Sequence, residues 1–269
     1  MRIAHVVALA ATFVASAVAA VQADPIETTA ALTLNALDGH HAINGADSRI
    51  DFVPLPLAEL TVRHGPDALH IEGLPPVAFS YVSGSGIGRT TTRLSIVNGT
   101  YRRTLAGGVW AGIGETVYNQ HTTYSNAPGS LYRRFTPTAN GTISTTYVIE
   151  GQEEQYSRIT GMRFELGKSF HARTSTIEAS AAFNPRMHGI QYTFIPVGPG
   201  VAGGSPTFAD AEHPSQVDFA VRVAHRAGPG ELLYGLRYLH YSANYIDEPG
   251  QLADTNAGIA LVVGYRLRL

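Results

Sequence analysis

Beyond its first two dozen residues the chain carries its clearest hydrophobic signal with a period of two, the repeat of a β-strand and not of a helix. The last segment shows it best. Ala257, Ile259, Leu261, Val263, Tyr265, Leu267 and Leu269 share one face, while Gly258, Ala260, Val262, Gly264, Arg266 and Arg268 share the other. One face is wholly apolar or aromatic; the other is small and ends in two arginines. In a soluble sandwich the apolar face would be core, whereas in a transmembrane barrel it faces lipid and the small, charged face fills the interior.

Ten strands are predicted: Pro75 to Val82, Gly88 to Val97, Leu105 to Tyr118, Gly141 to Glu150, Tyr156 to Leu166, Ala172 to Phe183, His188 to Phe194, Gln216 to Arg226, Glu231 to Ser242 and Asn256 to Leu269. Shorter runs at Ala58 to His64 and Ala68 to Ile71 would add a hairpin and give twelve; the expected barrel has about ten strands, within a range of eight to twelve. If Leu269 ends at the periplasmic rim, short junctions at Ala227 to Gly230, Asn184 to Met187 and Gly151 to Gln155 fall on that side. The long pieces Asn119 to Asn140, Ile195 to Ser215 and Ala243 to Thr255 fall on the other, with one tight turn at Gly167-Lys168-Ser169. Short periplasmic turns and long outer loops are the asymmetry of an outer-membrane barrel.

The first residues read as an export signal. Arg2 precedes an apolar, Ala-rich run from Ile3 to Val21, and Val21 and Ala23 fit a small-x-small cleavage site. The predicted organisation is a signal over residues 1–23, an N-terminal extension or extra strand over 24–56, and an all-β antiparallel transmembrane barrel over 57–269. No later window holds eighteen consecutive apolar residues, so a membrane crossing requires closed strands.

Composition narrows the function classes. The chain has 269 residues, no cysteine, 28 glycines and 13 tyrosines, so thiol nucleophiles, disulfide frameworks and zinc-thiolate clusters are excluded. Charged residues make up 15% and the net charge is −2, which leaves no basic field for nucleic acid. No nucleotide-binding fingerprint, HExxH or GxSxG occurs, and no cofactor or metal is implied. Asp38-Gly39-His40-His41 matches no standard ligand spacing and reads as a surface loop. The expected partners are outer-membrane lipid and, at the outer leaflet, lipopolysaccharide.

One segment holds candidate chemistry. In Gly235-Leu236-Arg237-Tyr238-Leu239-His240-Tyr241-Ser242 parity puts His240 and Ser242 on the apolar face with Leu232, Tyr234, Leu236 and Tyr238, at the strand end nearest a long outer loop. An imidazole and a hydroxyl two residues apart could exchange a proton, with Asp254 or Glu248 orienting the ring. This stretch resembles the active-site strand of the lipid A 3-O-deacylase (acyloxyacyl hydrolase-like) family, small outer-membrane barrels with a His-x-Ser-acid site on the lipid-facing exterior. The resemblance implies His240 as general base, Ser242 as nucleophile and Asp254 as acid. It covers about thirty-five C-terminal residues, and it departs from the family in Ala243, Asn244 and Tyr245, where Asn and Gly usually follow the serine, and in Asp254, where the family has Glu. The competing reading makes Tyr234, Tyr238, His240 and Tyr245 an interfacial girdle. The function expected is then structural, binding or narrow-channel, with ester hydrolysis on lipid A as the alternative.

Arg163, Arg237, Arg266 and Arg268 fall on expected inward faces and could pair with Glu165 or Glu178 in a packed polar core, or line a narrow anion-attracting pore. Arg102, Arg103, Arg133, Arg134 and Arg158 fall in connectors or near strand ends, where solvation is expected.

Overall fold

The structure is a computed structural model that describes residues 25–43, 46–82, 89–125, 129–198, 204–244 and 253–269. The export signal and Glu248 lie outside the described residues. Among the described residues fourteen strands follow one another: β1 (Glu27–Ile43), β2 (Ala46–His64), β3 (Asp67–Val82), β4 (Arg89–Thr104), β5 (Val109–Ser125), β6 (Leu131–Thr138), β7 (Gly141–Val148), β8 (Gln152–His171), β9 (Ser175–Asn184), β10 (His188–Phe194), β11 (Thr207–Glu212), β12 (Ser215–Ala227), β13 (Gly230–Asn244) and β14 (Ala253–Arg268).

Every pairing is antiparallel, and the β8–β9 ladder closes the main sheet into a barrel of ten strands. Strands β9 and β10 act as one long strand interrupted at Pro185–Met187, since both pair with β8. Strands β11 and β12 form a second one, interrupted at His213-Pro214. Strand β1 joins β2 to β14 and so completes the wall. The hairpin β6–β7 stands outside the ring.

The register fixes the tilt. Following cross-strand partners from His40 through Ala257, His240, Val217, Phe183, Phe164, Ile113, Tyr101, Leu69 and Val62 returns to Thr28 of the same strand, twelve residues lower. A stagger of that size over ten strands tilts them by about 40°.

Several sequence expectations change. Asn184–Met187 is a mid-strand irregularity and not a turn, because Met187 N–H bonds to the Pro214 carbonyl in the neighbouring interrupted strand. Gly167–Ser169 lies inside β8, and the periplasmic turn is at 172–174. Gly151–Gln155 opens β8 at the outer end, and Gly141–Glu150 belongs to the outer hairpin and not to the ring. Ala68–Ile71 and Pro75–Val82 are one strand, β3, bent where its register with β4 shifts between Leu74 and Val77.

Side chains alternate as a membrane wall requires. On β13 and β14, Leu232, Tyr234, Leu236, Tyr238, Ile259, Leu261 and Val263 are exposed, while Leu233, Arg237, Ala260 and Val262 are buried. The exposed set forms the lipid-facing band, whose burial is supplied by the bilayer. Among the described residues no helix is long and apolar enough to cross a membrane, so the strands make the crossing.

One ladder is incomplete. Strands β2 and β3 pair only from Ala58↔Gly73 to His64↔Asp67. Their outer halves, Ala46–Leu57 and Leu74–Val82, pair with β1 and β4 respectively but not with each other.

Candidate functional site

The barrel interior is built from small residues and ion pairs. In the middle layer Arg163 Nε donates to Glu165 at 2.7 Å and its Nη2 to Asp218 at 3.1 Å. Arg237 Nε donates to Asp218 at 2.9 Å, and its Nη1 and Nη2 donate to the two Glu72 oxygens at 2.9 and 2.8 Å. Arg102 Nε reaches Glu165 at 2.6 Å, and Asn98 donates to Glu72 at 3.0 Å. A periplasmic layer follows, in which Arg266 donates twice to Glu178 at 2.8 Å and once to Glu231 at 3.2 Å, while Arg222 bridges Glu59 and Glu178. These charges lie deep, so each needs its partner close by. Arg268, by contrast, stays exposed at the rim, 3.7 Å from Glu231.

Above the charged layers sits an apolar one. Ile50, Val53, Leu55, Leu57, Leu74 and Tyr81 form a buried cluster with Leu37, Val77, Phe79, Leu94 and Ile96 packed against it. Tyr118, Ile159 and Met187 extend it to the other side of the lumen. Tyr118 stacks on Tyr241, ring centroids 5.4 Å apart. Polar side chains line the lumen beside and outward of this layer, with Thr92, opposite Phe79, bonded to Thr122 at 3.2 Å and Tyr124 donating to Gln155 at 3.0 Å.

The outer hairpin folds against this mouth. Arg134 of β6 donates to both oxygens of Asp210 and lies over the Phe208 ring, 4.8 Å from its centroid. Tyr132 and Tyr147 pack on the same ring at 6.1 and 5.6 Å, and Ile149 bridges to Val197. The hydrogen bonds to Asp210 raise the Arg134 guanidinium above its ordinary pKa against the opposing effect of its partial burial.

On the lipid-facing wall, His240 pairs with Val217 and Ala257, and its ring lies parallel to Tyr238 at 6.4 Å. Its Nδ1 is enclosed and has no hydrogen-bond partner among the described residues. Ser242 pairs with Ser215 and Thr255 on the same face. No hydrogen bond joins Ser242 to His240: residues i and i+2 of one strand stand about 6.6 Å apart at Cα, so contact requires the side chains to lean along the strand. Asp254 occupies the register position opposite Ala243 and Ile43, which alternates with that of Thr255 facing Ser242. The histidine and serine are thus on one face at the outer rim, and Asp254 is on the adjacent strand, out of phase with them.

Sequence reasoning found Arg163, Arg237, Arg266, Glu165 and Glu178 but missed Glu59, Glu72, Asp218 and Arg222. The signal was present, since Asp218 and Arg222 alternate with Val217, Phe219, Val221 and Val223. Arg102 was expected in solvent; it reaches inward to Glu165 instead and lies 4.4 Å from the Trp110 ring centroid. His41, expected on a surface loop, is buried in β1 and bonds Asn256 at 2.7 Å. Among the described residues no group of three or more His, Asp or Glu side chains is placed to hold a metal.

These features define an integral outer-membrane β-barrel of ten strands. No protein-family model matches the chain, and no curated protein sequence does. Among solved structures it is similar to the outer membrane protease OmpT of Escherichia coli, with 9% identity and a TM-score of 0.59 over 93% of this chain and 99% of that one. Looser matches are the β-domain of the Bordetella autotransporter BrkA, at 14% identity, 91% and 99% coverage and a TM-score of 0.42, and a Pseudomonas aeruginosa FadL homologue, at 9%, 90% and 90%, and 0.37. At such identities the likeness concerns the fold.

Proposed function

We propose that this barrel is a binding protein of the outer membrane whose centre is closed to solute flow. The observation that supports this is the Glu72–Arg237–Asp218–Arg163 chain, whose side chains are between 5 and 12% exposed and run from wall to wall. The buried apolar layer above it makes a second barrier. Ions crossing this lumen would have to break paired, desolvated charges, which costs several kcal/mol per ion. Binding is left to the lumen above the ion pairs, the outer mouth and the lipid-facing rim. A liposome-swelling assay with small sugars tests the closed centre: swelling no faster than that of empty liposomes supports it, and swelling at a porin-like rate contradicts it.

A second reading is ester hydrolysis on lipid A by His240 and Ser242. It is favoured by the position of both side chains at the outer rim of the lipid-facing wall and by the enclosed Nδ1 of His240, which has no partner among the described residues. In this reading Ser242 attacks the ester carbonyl as His240 takes its proton, the ester C–O bond breaks as His240 returns that proton to the departing lipid hydroxyl, water activated by His240 then releases the fatty acid from the acyl-serine, and Asp254 or Glu248 orients the ring. Mass spectrometry of lipid A from cells expressing the protein or its Ser242→Ala variant tests it. Loss of one hydroxyacyl chain with the intact serine alone supports hydrolysis, and unchanged lipid A in both counts against it.

A further inference from the structure

Strands β2 and β3 are consecutive and adjacent, yet their ladder stops at Ala58↔Gly73. Four prolines mark the stretch beyond it: Pro54 and Pro56 on β2, Pro75 and Pro76 on β3. Pro54 and Pro56 have the same parity, and β2 keeps its ladder to β1 through both of them. Their missing N–H groups therefore fall on the edge that faces β3. A wall opened in lipid normally leaves backbone donors unsatisfied at several kcal/mol each. Proline has no donor to leave, so these residues let the wall part at low cost.

Both strands also carry an irregularity near this point. The β1–β2 register shifts between Leu37 and Gly39, opposite Phe52, which adopts a left-handed backbone with φ 39°. The β3–β4 register shifts at Pro75-Pro76. With the strand tilt taken into account, about one residue per strand, the bulges at Phe52, Pro75-Pro76 and Pro185–Met187 are nearly level with His240. The seam thus runs from the outer-leaflet hydrocarbon up to the mouth.

Directly behind it lies the largest apolar cluster inside the barrel. Leu55 and Leu57 of β2 and Leu74, Val77, Phe79 and Tyr81 of β3 face the lumen and close the seam by side-chain packing alone. Such contacts separate without breaking a directional bond, and the medium outside is hydrocarbon, equally apolar.

We propose that the β2–β3 seam is a lateral opening through which an acyl chain of an outer-leaflet lipid enters the apolar interior of the barrel. This rests on the reading of the protein as a closed-centre binding barrel and names the ligand class and its route. An acyl chain fits because the lining carries no charge, the opening faces lipid, and the ion pairs below set a floor at Glu72 and Arg237.

The chain contains no cysteine, so a Leu57→Cys/Leu74→Cys pair, the next position of the interrupted register, gives a unique lock across the seam. The protein is reconstituted in vesicles containing a phosphatidylcholine with a diazirine in one acyl chain, irradiated, and the labelled residues are mapped by mass spectrometry. The expected result is labelling of inward Leu55, Val77 and Phe79 in the wild type and in the reduced double variant, falling at least fivefold in the oxidised variant. Labelling of outward residues such as Leu236 and Leu261 should not change. Labels confined to outward residues in the reduced protein, or inward labels indifferent to oxidation, overturn the proposal. Heat-modifiable mobility in both redox states reports that the barrel is folded. Failure here with no solute flux removes the lateral opening and leaves the closed centre standing, whereas rapid flux removes the closed centre.

Discussion

Arg237 of β13 holds both oxygens of Glu72 of β3 across the lumen, at 2.9 and 2.8 Å, while its Nε donates to Asp218 on its own side at 2.9 Å. One guanidinium thus ties two walls of the barrel through a planar, two-oxygen contact that lysine cannot reproduce.

Replacing Arg237 with alanine leaves Glu72 and Asp218 facing each other with too few cations. Removing one partner of a buried ion pair costs about 3–5 kcal/mol, so Arg237→Ala should lower the urea midpoint at which the folded, heat-modifiable band disappears. Arg237→Lys should fall between the two. A midpoint for Arg237→Ala equal to the wild type would show that the network contributes nothing to stability.

The inner face near the periplasmic rim depends on a glycine. Trp110 pairs with Gly167, and a Cβ added at Gly167 would lie 2.2 Å from the indole. The Gly167→Val variant must push Trp110 away from Arg102, with an overpacking cost of about 1–3 kcal/mol. Trp110 is the sole tryptophan, so its fluorescence maximum should shift to longer wavelength in the folded variant. An unchanged spectrum would mean that the glycine is not needed for this contact.

Among the described residues the Arg134–Asp210 pair fastens the outer hairpin. Arg134→Gln removes the paired contact with Asp210 and leaves the ring packing on Phe208 and the Ile149–Val197 bridge. Proteolysis within residues 131–148 of intact cells should then accelerate several-fold while the ring of ten strands keeps its heat-modifiable mobility. Equal cleavage rates would show that the Arg134–Asp210 pair is not needed to hold the hairpin.

How much of this was legible varies by element. Both faces of β14 read directly from parity, because every residue from Ala257 to Leu267 obeys the alternation that lipid on one side and a filled lumen on the other impose. Strands β1 and β2 were harder: Asp38-Gly39-His40-His41 looks like a loop and Val53-Pro54-Leu55-Pro56-Leu57 looks unfit for a ladder. In the structure Gly39 and His41 face the lumen, and the prolines sit where β2 has no partner on one edge. Asn184-Pro185-Arg186-Met187 carries turn chemistry but makes a bulge, since its flanks continue along the same two neighbours. Parity alone puts His240 and Ser242 on one face of β13, while partners across strands, such as Asp218 with Arg163 and Glu72 with Arg237, depend on a register that no local pattern specifies.

If paired charges and an apolar layer close the barrel, single-protein conductance in a planar bilayer will show it. At ±100 mV in 1 M KCl the account predicts that insertion of the folded protein produces no sustained current steps. Stable, long-lived open steps from the wild type would contradict it.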